Sequence, residues 1–157
     1  VVLLIRTVGC KKLPLWLAGC LEDPTRIKIT ASFDLSDQEK LFTSFGWKFS
    51  DKVSEASSFV DVAELAKERH LPFGLKKMAS EFELPMLKLK EIGCSDWSKT
   101  LSDAQRQYAA EDAFFTLYLF GCLLERAPLS HGGLAAGAFA AWKLSEGHMR
   151  SLLERVE

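Results

Sequence analysis

The sequence predicts an α/β domain, and three observations lead to this prediction. Short β-branched or alternating segments recur between longer segments whose apolar residues follow helical spacing, which is typical of a layered α/β fold. The chain has 157 residues, of which 48% are hydrophobic, so it can bury one substantial core. Charged residues make up 26% and the net charge is −1, which excludes the disordered class and any strong overall attraction to polyanions.

Membrane-spanning segments and cysteine-based sites are not expected. The longest apolar segment, residues 113–124, is too short and too interrupted to cross a bilayer. Cys10, Cys20, Cys94 and Cys122 are widely spaced and form no Cys-x-x-Cys pair, which argues against a zinc site or a disulfide framework. We therefore expect reduced thiols and an intracellular protein with no membrane partner.

The first part of the chain is predicted to alternate strands and helices. Residues 1–6 are β-branched and aliphatic, as in a buried strand. Pro14 opens an apolar helix, and residues 26–31 then alternate polar and apolar side chains, as in a strand with one buried face. Ser36 is predicted to cap the next helix, which Gly46 ends.

The middle of the chain continues the same alternation with shorter elements. A strand at residues 59–60 leads into a helix whose Asp61 and Glu64 follow a capping pattern, and capping accounts for both carboxylates. An amphipathic segment at residues 75–82 is followed by a predicted loop around residues 88–93.

The longest helix begins where Ser102 and Gln105 form a second capping pattern, and it ends near the close of the main domain. We assign residues 1–126 to that domain. A Gly/Ala-rich linker at residues 127–138 and an amphipathic C-terminal helix at residues 139–157 follow. The C-terminal helix is expected to pack on the domain or on a protein partner.

Tyr108 and Asp112 are the first candidates for a functional site. They are four residues apart on the predicted long helix and therefore share one face. The same face continues with Phe115, Leu119 and Cys122, so Asp112 lies on an apolar stripe, where a carboxylate needs a cation, a metal or several donors. Taken alone, the pair also fits a structural role, with the tyrosine bonded to a loop and the aspartate paired with Lys or Arg.

The surrounding segment, residues 94–113, resembles the third motif of the RNase D and Werner-type 3′-5′ exonucleases, the DEDDy branch of the ribonuclease H-like superfamily. The resemblance covers about residues 2–125 and implies a ribonuclease H-like exonuclease fold, here with an extra C-terminal helix. The matching positions are Ser95, Trp97, Leu101, Ser102, Gln105, Tyr108, Ala109, Ala110, Asp112 and Ala113.

The resemblance also implies a metal site. In that family four carboxylates hold two divalent ions, Mg²⁺ or Mn²⁺, which prefer hard oxygen ligands and can drive phosphodiester hydrolysis. It implies that Asp112 is a metal ligand and that Tyr108 orients the attacking water. Asp37 is our choice for the second-motif carboxylate, with Asp34 as the alternative. The structural alternative for Asp37 is a first-turn carboxylate that interacts with the helix dipole.

The first motif of the family has no counterpart in this sequence. Residues 2–23 match the third strand and the following helix of the family, so its first two strands are missing, and no Asp-x-Glu precedes Asp37. Two carboxylates are too few for two metal ions, so we expect this polypeptide to be inactive by itself. Either the chain starting at Val1 is part of a longer protein, or a degenerate relative completes its sheet with a partner chain.

Two functions follow from these expectations. The first is a 3′-5′ exonuclease domain that acts on RNA or DNA ends and releases nucleoside 5′-monophosphates. The alternative is a catalytically dead, exonuclease-like subunit of a larger ribonucleoprotein complex, docked through residues 139–157. A third interpretation is a domain that binds neither metal nor nucleic acid. For the exonuclease, we expect the nucleus or mitochondrion rather than the cytosol.

Overall fold

The structure is a computed structural model. Several predictions fall outside the residues that it describes: nearly all of the strand at residues 1–6, Asp34, the linker at residues 127–138 and the helix at residues 139–157. The described residues are 5, 7, 9–33, 35–48, 58–87 and 89–126.

The described part of the chain mixes helices with a small parallel sheet, as the α/β prediction requires. Its elements, in chain order, are α1 (Leu15–Glu22), β1 (Lys28–Thr30), α2 (Leu35–Phe45), β2 (Phe59–Asp61), α3 (Val62–Glu68), α4 (Leu75–Glu81), α5 (Lys90–Gly93) and α6 (Asp103–Arg126).

Two local predictions need correction. Ser36 is not the cap of α2, because the helix already begins at Leu35. The loop predicted around residues 88–93 contains the single-turn helix α5, in which the Gly93 N–H donates to the Leu89 carbonyl at 3.1 Å. A single turn is too short to produce a helical repeat of apolar residues, so periodicity gave no signal for it. The end of α2 is confirmed, since Gly46 has a φ of 65°.

Strands β1 and β2 pair in parallel, so their carboxyl ends lie at the same edge of the sheet. Lys28 is opposite Phe59 and Thr30 is opposite Asp61. The ammonium of Lys28 donates to Ser58 Oγ at 2.7 Å, which ties the beginnings of the two strands together. The register therefore places Asp61 beside the residues that follow Thr30.

The core lies where α6 packs against α3, α4 and β1. Burial of each large aliphatic or aromatic side chain there contributes about 1.5–3 kcal/mol, so the position of α6 is firmly set. The buried members of this cluster are Val62, Leu65, Ala66, Leu75, Met78, Ala79, Met86, Phe115, Leu119, Phe120, Leu123 and Leu124.

Cysteines and membrane spans can be checked directly. Cys10, Cys20 and Cys94 are free thiols. Within the described ranges, the search for a helix with the length and apolar character of a bilayer span found none.

Candidate active site

A cavity of about 630 Å³ opens at the carboxyl end of β1. Its walls come from the end of β1 and the residues after it, from α2, from the start of α4 and from the middle of α6. Asp37 and Asp112 both line this cavity. The structure thus brings together two of the three site residues that the sequence suggested, and it does so at the sheet edge where α/β proteins usually bind ligands.

Asp112 is held in place by the packing of α6. The residues one and two turns further along its face, Phe115 and Leu119, are 4% and 0% exposed, as the apolar stripe predicted. Its Oδ1 atom is itself buried. The hydroxyl of Thr116, which also lines the cavity, donates to the Asp112 backbone carbonyl at 2.6 Å. Asp112 therefore reaches the cavity from a helix that is packed into the core.

Asp37 reaches the cavity from the first turn of α2, where a carboxylate is favoured by the helix dipole. Its side chain is 41% exposed and forms an ion pair with Lys40 at 3.3 Å. Exposed pairs of this kind contribute at most about 1 kcal/mol, so Lys40 offers little competition to a cation that binds in the cavity.

Tyr108 is not among the residues that line the cavity. Its ring packs edge-to-face on Trp97 with the centroids 6.0 Å apart, and the Trp97 indole N–H donates to the Gly93 carbonyl at 3.2 Å. The Tyr108 hydroxyl lies against Gly93, where a Cβ would be 2.7 Å from that oxygen. The contact of Gly93 with Tyr108 was not predicted from the sequence. Its one signal is a glycine just ahead of the third motif, and this glycine indicates a close contact only once the position of Tyr108 is known.

The geometry can now be compared with known proteins. The model of the 3′-5′ exonuclease family matches residues 3–127, which is most of the chain. The chain belongs to the 3′-5′ exonuclease family. Searches of curated proteins and of solved structures gave no match. The matched range contains Asp37, Tyr108 and Asp112, and the exonuclease resemblance proposed from the sequence is confirmed.

The loop that leads into α6 of this exonuclease domain is built around Gln105. We call residues 94–102 the helix-start loop. The capping pattern is confirmed, because the Ser102 N–H donates to Gln105 Oε1 at 2.9 Å and the Gln105 N–H donates to Ser102 Oγ at 3.2 Å. The Gln105 amide also donates to Ser95 Oγ and to the Asp96 carbonyl, both at 3.0 Å. Gln105 therefore joins both ends of the loop to the helix that carries Asp112.

Asp61 is a second residue whose importance the sequence did not show. We call residues 31–33, which line the cavity, the strand-end loop. The Asp61 carboxylate caps α3 by accepting from the Ala63 N–H at 2.8 Å, as predicted. It also accepts from the N–H groups of Ser32 at 3.0 Å and Phe33 at 2.7 Å, and from the Thr30 hydroxyl at 3.1 Å. One carboxylate thus ties the strand-end loop to β2.

Hydrogen bonding determines the charge state of Asp61. Burial alone would raise its pKa, but the bonds from Ser32, Phe33, Ala63 and Thr30 outweigh burial and lower the pKa below the ordinary 3.8. The carboxylate is therefore ionised at neutral pH. Glu64, the other acid of the predicted capping pair, forms an ion pair with Lys67 at 2.6 Å.

The metal that the exonuclease family typically uses can be tested against these residues. Among the residues that the structure describes, no group of three or more His, Cys, Asp or Glu side chains is arranged to hold a metal ion. Asp37 and Asp112 supply two carboxylates to one cavity, and carboxylate oxygens are the donors that Mg²⁺ and Mn²⁺ prefer. The two residues fit a part of a divalent-metal ligand set.

Proposed function

We propose that this chain is the metal-dependent 3′-5′ exonuclease domain of a protein that removes nucleotides from nucleic-acid ends, built on a ribonuclease H-like fold. One observation carries the proposal. Asp37 and Asp112, which come from separate motifs of the exonuclease resemblance, line one cavity at the carboxyl end of strand β1.

The chemistry of the cavity suits the hydrolysis of a phosphodiester. Asp37 and Asp112 would hold divalent ions, which when bound supply positive charge to the phosphate and make hydroxide available near neutral pH. Asp112 and the exposed side chain of Asp37 line two walls of the cavity. They would thereby fix the scissile phosphate between α2 and α6.

The remaining lining of the cavity suits the apolar part of a nucleotide. Phe33, Leu75 and Leu117 all line it. Phe33 also stacks on Phe59 with the ring centroids 5.6 Å apart, which stiffens that wall. Aromatic and apolar side chains accept a base face regardless of sequence, as an enzyme that shortens many different ends requires.

Tyr108 is the proposed residue for orienting the attacking water. It lies one helical turn before Asp112 on α6, which corresponds to roughly 5–6 Å between the Cβ atoms. Its hydroxyl is held beside Gly93 and its ring against Trp97, so the side chain has a defined position. Tyr108 is not part of the cavity wall in this structure, so the role requires its hydroxyl to leave Gly93 and turn toward Asp112.

Full activity requires more acidic ligands than these two. Asp37 and Asp112 provide two carboxylates, whereas a pair of Mg²⁺ ions requires more oxygen donors than two side chains offer. We therefore propose that additional carboxylates complete the site and that residues 1–157 by themselves do not degrade nucleic acid.

The test compares one substitution at two positions of α6. Asp112→Asn removes a proposed ligand, and Asp103→Asn makes the same change at a side chain that is 97% exposed and pairs with Arg106. The natural protein is incubated with Mn²⁺ and 5′-labelled single-stranded RNA or DNA, and the ladder of shortened products is followed. We expect Asp112→Asn to slow degradation by more than about 100-fold. This exceeds the roughly 10–100-fold loss that is typical when a residue that only supports a metal ligand is replaced. Asp103→Asn should leave the rate unchanged.

The same assay distinguishes the alternatives. Equal activity of the two variants would refute the assignment of Asp112. A natural protein that binds the oligonucleotides but leaves them intact would instead support the catalytically dead, exonuclease-like subunit. The relative rates on RNA and DNA identify the substrate.

A further inference from the structure

Asp61 does more than a helix cap requires. A cap needs one acceptor for the first N–H groups of α3, and the 2.8 Å bond from the Ala63 N–H provides it. The other three bonds, from Thr30, Ser32 and Phe33, come from the neighbouring strand and the strand-end loop. They make no contribution to capping, so they need another explanation.

The strand-end loop has a conformation that needs support. Ser32 has a φ of 61°, in the left-handed region that is unfavourable for residues with a side chain. The N–H groups of Ser32 and of the next residue, Phe33, both point to the Asp61 carboxylate. Two charge-assisted bonds at this point offset the strain and hold the turn in one conformation.

The turn lies close to the start of α2 in the sequence, since it ends at Phe33 and α2 begins at Leu35. Phe33 lies four residues before Asp37, and both line the cavity together with Ser32. Asp112 approaches the same cavity from α6, whose position is fixed by the core. Because the core fixes α6, a movement of the strand-end loop would change the separation of the two acids.

We propose that Asp61 is a positioning residue for the metal site: its carboxylate holds residues 31–33 so that Asp37 faces Asp112 across the cavity. This inference rests on the proposed function. Asp61 would affect the position of Asp37 through the backbone of the loop, without contacting metal or substrate itself.

The two carboxylate oxygens make different bonds, which allows a sharp substitution. Oδ1 accepts from Ser32 and Ala63, while Oδ2 accepts from Phe33 and Thr30. In Asp61→Asn the amide oxygen can replace Oδ1 and keep the cap, and the Thr30 hydroxyl can reverse to accept from the amide NH₂. The Phe33 N–H then faces a donor and loses its partner, so Asp61→Asn removes one of the two backbone bonds that hold the loop while it preserves the cap and the bond from Ser32.

Asp23→Asn is a matched control. Asp23 also accepts from a backbone N–H and a hydroxyl, both of Thr25, at 2.9 and 2.6 Å. Its pKa is likewise lowered, first by these bonds from Thr25. Asp23 follows α1 and is not part of the cavity wall.

The experiment measures Mn²⁺ binding to the natural protein by electron paramagnetic resonance, with wild type, Asp61→Asn, Asp23→Asn and Asp112→Asn all shown to be folded by circular dichroism. We expect Asp61→Asn to weaken Mn²⁺ binding about tenfold, within the range for residues that orient ligands, and Asp23→Asn to have no effect. Hydrogen exchange should become faster at Phe33 in Asp61→Asn but stay slow at Ala63.

The outcomes separate the two proposals. If wild type fails to bind Mn²⁺, the proposed function is refuted and this role with it. If Asp112→Asn loses Mn²⁺ while folded Asp61→Asn binds it as wild type does, only the positioning role is overturned.

Thr30→Val is a second variant, for the case that Asp61→Asn does not fold. It removes a single bond to Asp61, and we expect it to weaken Mn²⁺ binding about threefold, the equivalent of one hydrogen bond. Unchanged binding in that variant would equally contradict the role.

Discussion

The two loops that precede the acids of the cavity are held in different ways. The strand-end loop, ahead of Asp37, is bonded to Asp61, which lies 28 and 29 residues away from Phe33 and Ser32 in the sequence. The helix-start loop, ahead of Asp112, is held by Gln105 through bonds that span 3 to 10 residues. One loop depends on tertiary structure, while the other is largely a local motif.

This difference determines what each loop does. The helix-start loop can form as soon as α6 does, because its bonding partners are near in sequence. The strand-end loop can form only after β1 and β2 have paired in the correct register, since that register brings Asp61 beside Thr30. The first stabilises one helix end, and the second couples the sheet to the cavity wall.

The largest expected loss of stability follows from Asp61→Ala. It removes the cap of α3 and leaves the Ser32 and Phe33 N–H groups without the carboxylate, for a loss of about 2–3 kcal/mol in the free energy of unfolding. Asp96→Ala makes the same change in the helix-start loop, where the carboxylate accepts from Ser98 within two residues. A urea titration should show a clearly smaller loss there, and equal losses would remove the distinction between the loops.

Gly93→Ala tests the tight contact next to the helix-start loop. The new Cβ would lie 2.7 Å from the Tyr108 hydroxyl and 3.1 Å from its Cζ, so the ring must shift. We expect a loss of about 1–2 kcal/mol, together with altered aromatic circular dichroism from Trp97 and Tyr108. Gly19→Ala is the control, because among the described residues outside its own helix and neighbours no atom lies within 4 Å of a Cβ there, and in helix α1 it should stabilise by up to about 1 kcal/mol. A loss of stability in both variants would contradict the assigned contact.

Gln105→Ala measures the local network of the helix-start loop. Gln105 is 7% exposed and bonds to Ser95, Asp96 and Ser102, so its removal should cost about 1 kcal/mol. Gln107→Ala removes an exposed amide that bonds along α6 to Glu111, and thermal unfolding should show almost no change. If the two substitutions had the same effect, the helix-start loop would not depend on Gln105.

Acidification gives the smallest effect and acts on the strand-end loop. The pKa of Asp61 is lowered in the folded state, so its contribution to stability is complete above the ordinary pKa of 3.8 and is lost as the pH falls through the folded value. The difference in unfolding free energy between wild type and Asp61→Asn should therefore be constant near neutral pH and shrink below about pH 4. A difference that grew on acidification would show that the carboxylate is not stabilised by these bonds.

Much of the fold could be predicted because its signals are local. Pro14 before α1, Gly46 after α2 and the Ser102–Gln105 pair before α6 each act within a few residues, and the structure confirms them. The choice of Asp37 and Asp112 came from motif resemblance, and the cavity contains both.

The parts that could not be predicted depend on distant contacts or very short elements. The sequence alone marks Asp61 as a helix cap, because its bonds to Ser32 and Phe33 exist only once the strands have paired. Gly93 likewise acquires meaning only when the Tyr108 hydroxyl lies beside it. Single turns such as α5 carry no periodicity to detect.

The central claim, that Asp37 and Asp112 form one metal site, is tested most directly by a double-mutant cycle in Mn²⁺ binding. Wild type, Asp37→Asn, Asp112→Asn and the double variant are compared in the natural protein. We predict that each single substitution weakens Mn²⁺ binding. The double variant should bind Mn²⁺ only slightly more weakly than the single variant with the lower affinity, because ligands of one site are not independent. The shared site would be contradicted if the fold-losses in Mn²⁺ affinity of the two single variants multiplied in the double variant, as they do for independent sites. Unchanged Mn²⁺ binding in Asp37→Asn would contradict it as well.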